Sequence, residues 1–479
     1  MRRLFLALLF AATITTGFAQ VGIGTTNPNG SSVLDLTATD KAFIPPRMNT
    51  IQQNAISNPA MGMMIYNTDS NCIVIYRGAA WFSVCSVTAP LFSGSVVAYA
   101  PVAVSKTKTQ RVFAHLMPWF ETPATNTLNP GNWGAHWTLN SSNFNPNNFN
   151  SSGQRIIGPH YYPLTGPYAS SDTTIIDYQL LLMKLSGIDG VLIDWPGTGT
   201  NADLPMNERN TKAFVARIAK AGLNFALVYE DYNLASASNA TTQGQNDMTY
   251  AQTNYFSKSN YEYVNGKPLF LVFGPRQITT AAGWNSIFSV LTTKPTFITY
   301  MFNTDAGSTA AGQFGWIEQS GTTRLNEFYA TNPGIMVTDS YPGYNSDYAI
   351  AGPGYNGGPT WIIAANGTST LQTTLSLALQ QSASNYLQLT TWNDYGEGTM
   401  LEPTDTTTGG FGYSLLTTLQ TSLGVGNALS QTDLAAVFKL YQLRQTYAGN
   451  ATALAKLNQV YYYMVSLQMT KAKALLATL

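Results

Sequence analysis

Apolar segments with strand character alternate with helical segments from residue 111 to residue 394. The predicted strands are residues 111–120, 189–195, 224–232, 267–274, 296–302 and 386–394, with weaker candidates at 314–318 and 334–341. Such alternation is typical of an α/β fold with a parallel sheet. The number of strands favours a closed barrel over an open sheet, and no glycine-rich phosphate fingerprint follows the first strand, which counts against a dinucleotide-binding fold. We therefore expect an α/β fold, a (β/α)8 TIM-type barrel, over residues 110–426.

The chain begins with a segment that has the layout of a secretory signal peptide. Residues 1–19 combine the basic start MRR, the apolar run LFLALLFAA and small residues up to Ala19. An uncleaved membrane anchor is the alternative, but the apolar run is short for a bilayer span. We expect cleavage near Ala19 and a secreted chain, whether extracellular, at the cell surface or periplasmic, with no membrane span after cleavage.

Residues 20–88 hold short β-like runs cut by Gly, Pro and Asn, such as VGIGTTNPNGSSVLDL and CIVIY. They resemble the small β-rich modules attached to many secreted bacterial surface proteins, which implies display or spacing. Cys72 and Cys85 flank two predicted strands and a turn, so we predict a disulfide, with two buried thiols as the alternative. Residues 89–109 are predicted to be a linker, and residues 427–479 a C-terminal helical cap.

The chain is poor in charge. Only 10% of its residues are charged, and 24 basic and 24 acidic residues give a net charge of zero. No basic excess is present to neutralise phosphates, so we expect no nucleic-acid partner. Several acids follow predicted strands, where barrel active sites are built: Asp194, Glu230, Asp231, Asp394 and Glu397. Because a buried, unpaired acid is costly, acids at three strand ends predict one shared site that a ligand can reach.

Aromatic residues make up 12% of the chain, and many of them follow the same predicted strands. Ring faces beside polar groups suit carbohydrates, whose C–H faces stack while their hydroxyl groups form hydrogen bonds. Core packing is the alternative for some of these rings. We predict substrate contacts for Trp119, His136, Trp137, His160, Tyr162, Asp194, Trp195, Glu230, Asp231, Trp392, Asn393, Tyr395 and Glu402.

The three histidines, His115, His136 and His160, lie on the first predicted strand or in the loop after it. Their separations of 21 and 24 residues match no short metal-ligand motif, and their neighbours are rich in aromatic rings. Zinc binding and ordinary structural roles are the alternatives. We expect no metal and no cofactor, and polar contacts to a sugar instead.

Several segments between residues 111 and 405 resemble glycoside hydrolase families 99 and 71. They are PWF with NWGAHWT, GPHYYPLTGPYASSD, SGIDGVLIDWPG, AGLNFALVYEDY and TWNDYGEGTMLEP. Family 99 comprises endo-α-mannosidases and endo-α-mannanases, and family 71 comprises α-1,3-glucanases. WNDYGE is similar to the glucanases and EGTMLEP to the mannosidases. The resemblance implies a barrel without a metal and a polysaccharide or oligosaccharide substrate with α-linkages.

The resemblance to family 99 also implies roles for two carboxylates three residues apart. Glu397 corresponds to the general acid/base at the glycosidic oxygen. Asp394 corresponds to the base that deprotonates the sugar 2-hydroxyl, with Asp in place of the family's Glu. The residues themselves point the same way, because neighbouring carboxyl groups push their pKa values apart, as an acid and a base require. Most glycosidases use two such groups at the scissile bond.

Two other functions fit the sequence. An endo-glycosidase acting on another polysaccharide, such as a sulfated marine one, would use Asp194 and Glu230 as its pair. A non-catalytic surface protein would bind glycans on the same barrel. The interpretation we favour is a secreted, endo-acting glycoside hydrolase of α-mannan or α-glucan that uses Asp394 and Glu397.

Overall fold

The computed structural model describes residues 20–86, 91–352 and 359–479. The predicted signal peptide lies outside these residues. The chain divides into two compact units, residues 1–90 and residues 91–479. None of the helices in the described ranges is long and apolar enough to cross a membrane.

The N-terminal unit consists of short strands. They are β1 Val21–Ile23, β2 Leu34–Leu36, β3 Arg47–Met48, β4 Met64–Asn67, β5 Cys72–Tyr76 and β6 Trp81–Ser83, and helix α1 is Thr50–Asn54. Strands β1 and β2 form a separate parallel pair, and β3–β6 form a four-stranded sheet with the small core residues Ile65 and Val74. A disulfide joins Cys72 to Cys85, as predicted.

Eight parallel strands close the barrel of the second unit. They are β7 Arg111–Leu116, β8 Gly190–Trp195, β9 Asn224–Tyr229, β11 Lys267–Val272, β12 Thr296–Tyr300, β13 Gly312–Phe314, β14 Ile335–Ser340 and β17 Tyr386–Leu389. Each strand pairs with the next in this order, and β17 pairs with β7, which completes the ring. Short antiparallel strands add to it: β10 Tyr263–Val264 pairs with β11, and β15 Tyr344–Asn345 pairs with β16 Ile362–Ile363. The predicted (β/α)8 architecture is thus confirmed.

Helices alternate with the strands and cover the barrel. They are α2 Ala135–Thr138, α3 Thr173–Leu185, α4 Leu204–Ala221, α5 Ala240–Ala251, α6 Ala281–Ile287, α7 Thr322–Thr331, α8 Ser369–Leu379 and α9 Ser414–Leu423. Helix α3 begins after Asp172, whose side chain caps the helix by accepting a hydrogen bond from the backbone N–H of Thr174. Gly222 ends α4 with φ +73°, a left-handed conformation that favours glycine.

Several predicted strands end earlier in the structure than in the sequence pattern. Strand β17 ends at Leu389 rather than at residue 394, and β9 ends at Tyr229 rather than at residue 232. Strand β13 overlaps the predicted segment 314–318 only at Phe314. After β17 and β13 the apolar pattern continues into the following loop because that loop is itself buried, whereas after β9 the chain turns outward and Tyr232 is 56% exposed. The acids predicted at strand ends therefore lie at or beyond the carboxyl ends, at the barrel mouth.

Three C-terminal helices pack on the barrel: α10 Gln431–Thr446, α11 Ala451–Val465 and α12 Met469–Leu476. The predicted linker is also packed on this unit from Leu91 onward. The backbone N–H of Val97 donates to Gln459 on α11, and Lys106 forms an ion pair with Asp189. Residues 91–109 and the C-terminal helices therefore belong to the same compact unit as the barrel strands.

A buried ion cluster ties these helices together. Asp177 on α3 accepts hydrogen bonds from Arg217 on α4 at 2.6 Å through both carboxylate oxygens, and from Arg444 on α10 at 2.6 Å. The side chains of Asp177 and Arg444 are 2% and 8% exposed. One carboxylate thus joins a C-terminal helix to two helices of the barrel.

Candidate active site

The loop after β17 brings the predicted catalytic carboxylates to the barrel mouth. We call residues 390–402 the acidic loop. Its shape is fixed internally: Asp394 N–H donates to Thr391 Oγ1 at 2.8 Å, and the Thr391 and Thr399 hydroxyl groups are 3.0 Å apart. Gly398 has φ +66°, and a side chain there would lie 3.0 Å from the Asn345 carbonyl oxygen. The glycine is therefore needed for this turn.

A second segment holds the acidic loop from outside. The backbone N–H groups of Asn345 and Asp347 donate to the carbonyl oxygens of Glu397 and Gly396, at 2.9 and 2.8 Å. A Cβ added at Gly396 would lie 2.4 Å from the ring of Tyr348. The chain after β14 therefore packs directly on the turn between the two carboxylates.

Asp394 and Glu397 have different surroundings within the same turn. The Asp394 side chain is 2% exposed and accepts the backbone N–H of Glu397 at 3.0 Å. The Glu397 carboxyl group has no hydrogen-bond donor among the described residues. Burial raises the pKa of Asp394 to about 7, while backbone hydrogen bonds oppose this rise. Burial, together with the negative charge of Asp394, raises the pKa of Glu397 well above its ordinary value. Asp394 therefore ionises first, and Glu397 keeps its proton.

Asp194 and Glu230 lie at the same mouth, at the ends of β8 and β9. Burial and the charges of Glu230, Asp394 and Asp203 raise the pKa of Asp194 well above its ordinary value. Burial raises the pKa of Glu230 to about 7, against the charge of Arg276. The structure thus brings both predicted acid pairs into one electrostatically connected site.

Two predicted aromatic residues lie on the wall of the mouth formed by the loop after β7. The rings of Trp119 and His136 are parallel, with centroids 4.2 Å apart. His136 Nδ1 is 3.4 Å from the Tyr348 hydroxyl, and burial lowers the pKa of His136 to about 4 even though Asp203 opposes this change. The imidazole is therefore neutral and suited to hydrogen bonding rather than to ion pairing.

Other predicted contact residues are buried under the mouth. Trp137, Trp195, Trp392 and Tyr395 are fully buried. Two of them form hydrogen bonds within the protein: the indole N–H of Trp137 donates to the Tyr168 carbonyl oxygen, and that of Trp195 donates to the Glu208 carboxylate. These four side chains pack the wall behind the site rather than its open surface.

Three polar residues predicted to contact substrate also hold the protein together. Asp231 is fully buried and accepts backbone N–H groups of residues 276–278. Asn393 brackets the backbone of Met117, accepting its N–H at 2.8 Å and donating to its carbonyl at 3.0 Å. Glu402 accepts hydrogen bonds from Tyr168, Tyr395 and Gln179 at 2.8–3.0 Å. Each of them positions a neighbouring loop.

The remaining predicted residues lie on the rim. The backbone N–H of His160 donates to Asp347 at 2.9 Å, and His160 Nδ1 lies 2.6 Å from the same carboxylate; Asp347 is the residue whose backbone N–H binds the acidic loop. Tyr162 is half-buried, and its hydroxyl group accepts the backbone N–H of Arg155. In the described ranges, no group of three or more His, Cys, Asp or Glu residues is arranged to hold a metal ion.

Sequence reasoning missed Asp203, Arg276, Tyr344 and Tyr348. Asp203 precedes α4 but its side chain does not cap that helix, and its charge acts on Asp194 and His136 instead. The charge of Glu397 contributes to the raised pKa of Tyr344, whose ring stacks on Trp361 at 3.9 Å. None of these residues falls within a sequence motif quoted above, and Tyr344 lies on the short strand β15.

Comparison with known proteins gives one sequence match and several fold likenesses. The family profile described as the phage tail like trimerisation region matches residues 22–98. No curated protein matches the chain.

Solved structures resemble parts of the chain. The GH99 endo-alpha-mannosidase from Bacteroides thetaiotaomicron is 17% identical, with a TM-score of 0.48, and the match covers 62% of this chain and 88% of that protein. A glycoside hydrolase-like protein is 13% identical, with a TM-score of 0.48 and coverage of 68% and 98%. A GH138 enzyme targeting pectin rhamnogalacturonan II is 9% identical, with a TM-score of 0.36 and coverage of 76% and 44%. At these identities and TM-scores, the likenesses carry no argument about the chemistry of this chain.

Proposed function

We propose that this chain is a secreted glycoside hydrolase that cleaves an α-linked polysaccharide, an α-mannan or an α-glucan, at internal bonds. The observation that carries the proposal is the placement of Asp394 and Glu397 in one turn at the barrel mouth, where the backbone N–H of Glu397 donates to the Asp394 carboxylate at 3.0 Å. The family resemblance of WNDYGEGTMLEP supports the choice of substrate.

The two carboxyl groups take the roles that their surroundings favour. Glu397 has no donor among the described residues, so its proton is available to the glycosidic oxygen as the bond to the anomeric carbon breaks. Asp394, held by a backbone N–H group, is the stronger acid and is ionised when Glu397 is protonated. It accepts the proton of the attacking hydroxyl group, whether that group belongs to water or to the sugar 2-position.

Asp194 and Glu230 bind sugar hydroxyl groups beside this pair. The Asp194 carboxyl group has no hydrogen-bond partner among the described residues, although the residue is only 6% exposed. A buried carboxyl group without a donor is costly, and a sugar hydroxyl group would satisfy it. Trp119 and His136 contribute a flat surface on the neighbouring wall of the mouth.

The proximity of Glu230 and Asp194 also supports the alternative pair, so the experiment compares both. The purified protein is incubated with α-mannan, α-1,3-glucan and sulfated polysaccharides, and released oligosaccharides are identified by mass. Glu397→Gln, Asp394→Asn and Glu230→Gln are compared with Glu327→Gln, an exposed glutamate on α7. We expect a loss of roughly 100-fold or more for Glu397→Gln and parental activity for the control.

The outcomes separate the hypotheses. Turnover that survives Asp394→Asn and Glu397→Gln but is lost in Glu230→Gln would assign catalysis to the alternative pair. Glycan binding by the native protein without any new reducing ends would mean a non-catalytic binding protein. Products from a sulfated polysaccharide alone would overturn the α-glycan assignment.

We also propose that the N-terminal unit joins three chains. The support is the match of residues 22–98 to a trimerisation region. The molecular mass of the purified protein in solution, measured by light scattering, tests this, and a mass of one chain would contradict it.

A further inference from the structure

The strands β1 and β2 form a sheet that has almost no core of its own. Each strand has three residues, and none of the six residues is buried. An isolated pair of strands is at best marginally stable in water, and this pair is shorter than most. By contrast, the sheet β3–β6 buries Ile65, Cys72 and Val74. The β1–β2 pair therefore has no buried side chains of its own, whereas the sheet β3–β6 has a small core.

The apolar side chains of this pair lie on one face. Val21 pairs with Leu34 and Ile23 with Leu36 in parallel register. Because side chains alternate along a strand and paired residues point the same way, these four lie side by side. They are 53%, 49%, 59% and 45% exposed. We call these four residues the apolar face.

The other face of the pair is already covered. A Cβ added at Gly22 would lie 2.7 Å from the Thr25 carbonyl oxygen and 2.9 Å from Pro28. The Asp35 carboxylate accepts the backbone N–H of Asn29 at 2.8 Å. The loop between the strands thus packs on one side and leaves the apolar face open.

The apolar surface extends beyond the strands. Phe43 and Ile44 are 64% and 69% exposed, and with Ile23 and Leu36 they line a cavity of about 820 Å³. Exposed apolar residues also occur elsewhere in the unit: Ile51 lies on α1, and Met64 and Phe82 lie on one face of the sheet β3–β6, where Phe82 is under the guanidinium group of Arg77 at 4.9 Å. Thr37, Asp40 and Lys41 line the same cavity, so the exposed apolar residues are grouped there beside polar ones. Grouped apolar residues on a water-facing surface, rimmed by polar residues, mark an interaction site.

We propose that the apolar face, extended by Phe43 and Ile44, is the surface through which three copies of this chain meet. This inference rests on the proposed trimeric assembly and adds the place of contact. Its occupant is a second copy because the trimerisation match begins at residue 22 and spans nearly all of this surface. The four side chains of the face are uncharged, so identical faces meet around a threefold axis without like-charge repulsion.

Charge introduced on the face tests the contact. The double variant Ile23→Asp/Leu36→Asp places two aspartates per chain where the copies meet, and Ile51→Asp is the matched control, since Ile51 is 80% exposed in the same unit. Mass is measured by sedimentation over a range of protein concentrations. We expect the parent and Ile51→Asp to be trimers, and the concentration at which the double variant dissociates to rise roughly 100-fold or more.

A cross-linking experiment keeps the test decisive if the double variant fails to fold. Ile23→Cys is oxidised and run without reductant, with Ile51→Cys as control. Covalent links between chains through residue 23 but not residue 51 support the apolar face.

The two proposals can fail separately. A trimeric parent whose mass is unchanged by Ile23→Asp/Leu36→Asp, with no links through residue 23, would overturn the contact surface but not the assembly. A parent that is a single chain at all concentrations would overturn both.

Discussion

Replacement of Asp177 by Asn tests whether one buried carboxylate holds the C-terminal helices on the barrel. The change keeps the size of the side chain but removes its charge and one acceptor oxygen. Arg217 and Arg444 then share a neutral amide in place of a carboxylate that accepts three hydrogen bonds of 2.6 Å. Because the Arg444 side chain is only 8% exposed, hydrogen bonds to water cannot replace its lost ion pair with Asp177.

The expected magnitude follows from the burial of the three side chains. Removing one partner of a buried ion pair costs about 3–5 kcal/mol, since it leaves an uncompensated buried charge. Arg217 is 24% exposed and keeps some solvation, and Arg444 keeps a hydrogen bond of 3.1 Å to Asn458. We therefore expect a loss near the lower end, about 3 kcal/mol.

Urea unfolding followed by tryptophan fluorescence measures this loss. All tryptophans except Trp81 lie in the barrel unit, so the signal reports on it. With a slope of about 3 kcal/mol per molar urea, the midpoint falls by about 1 M. Glu327→Gln is the control, because its ion pair with Arg324 joins side chains that are 54% and 33% exposed and contributes at most about 1 kcal/mol. An Asp177→Asn midpoint no lower than that of the control would refute the reasoning.

Three further predictions follow from the site and the N-terminal unit. The value of kcat/KM for glycan cleavage should rise as Asp394 ionises near pH 7 and fall at higher pH as Glu397 ionises. In Glu397→Gln the fall at high pH should disappear, and a fall that persists in this variant would mean that another group causes it. Burial raises the pKa of Glu402 from 4.5 to about 7, so the stability that the protonated Glu402 contributes is present below about pH 4.5 and is lost as the pH rises through 7. Glu402→Gln should therefore reduce the change in unfolding free energy between pH 5 and pH 8 by about 2–3 kcal/mol. An unchanged pH dependence in this variant would show that Glu402 does not cause it. Reduction of the disulfide between Cys72 and Cys85, which are 13 residues apart, should lower the unfolding free energy of the N-terminal unit by about 3 kcal/mol, as measured by its susceptibility to proteolysis. Loss of glycan cleavage on reduction would contradict the assignment of catalysis to the barrel.

The fold could be predicted from sequence because its signals are local and repeated. The repeated apolar strands predicted the barrel, and the acids Asp194 and Glu230 that end two of them predicted a site at the carboxyl ends of the strands. The disulfide was predictable for the same reason, since a short hairpin separates Cys72 from Cys85. These features depend on residues that are close in the chain.

The division of labour among the site residues could not be predicted. Trp392 and Trp119 both follow strands in an aromatic context, yet one is fully buried and the other lies at the mouth beside His136. Asp203 lies outside the predicted strands and the sequence motifs, and only the folded structure shows that its charge acts on Asp194. Which face of a loop residue meets solvent depends on contacts between distant segments, and local pattern does not contain them.

The backbone hydrogen bonds between residues 345–347 and the acidic loop have a consequence for protein engineering. Loops at barrel mouths are the usual targets when specificity is altered, because strands tolerate such exchanges. Here the loop after β14 supplies the N–H groups that bind the carbonyl oxygens of Gly396 and Glu397. Grafting a foreign loop after β14 would therefore misplace the proton donor along with the binding surface. A library that keeps Asn345–Asp347 fixed and varies the loop after β7 would separate recognition from turnover.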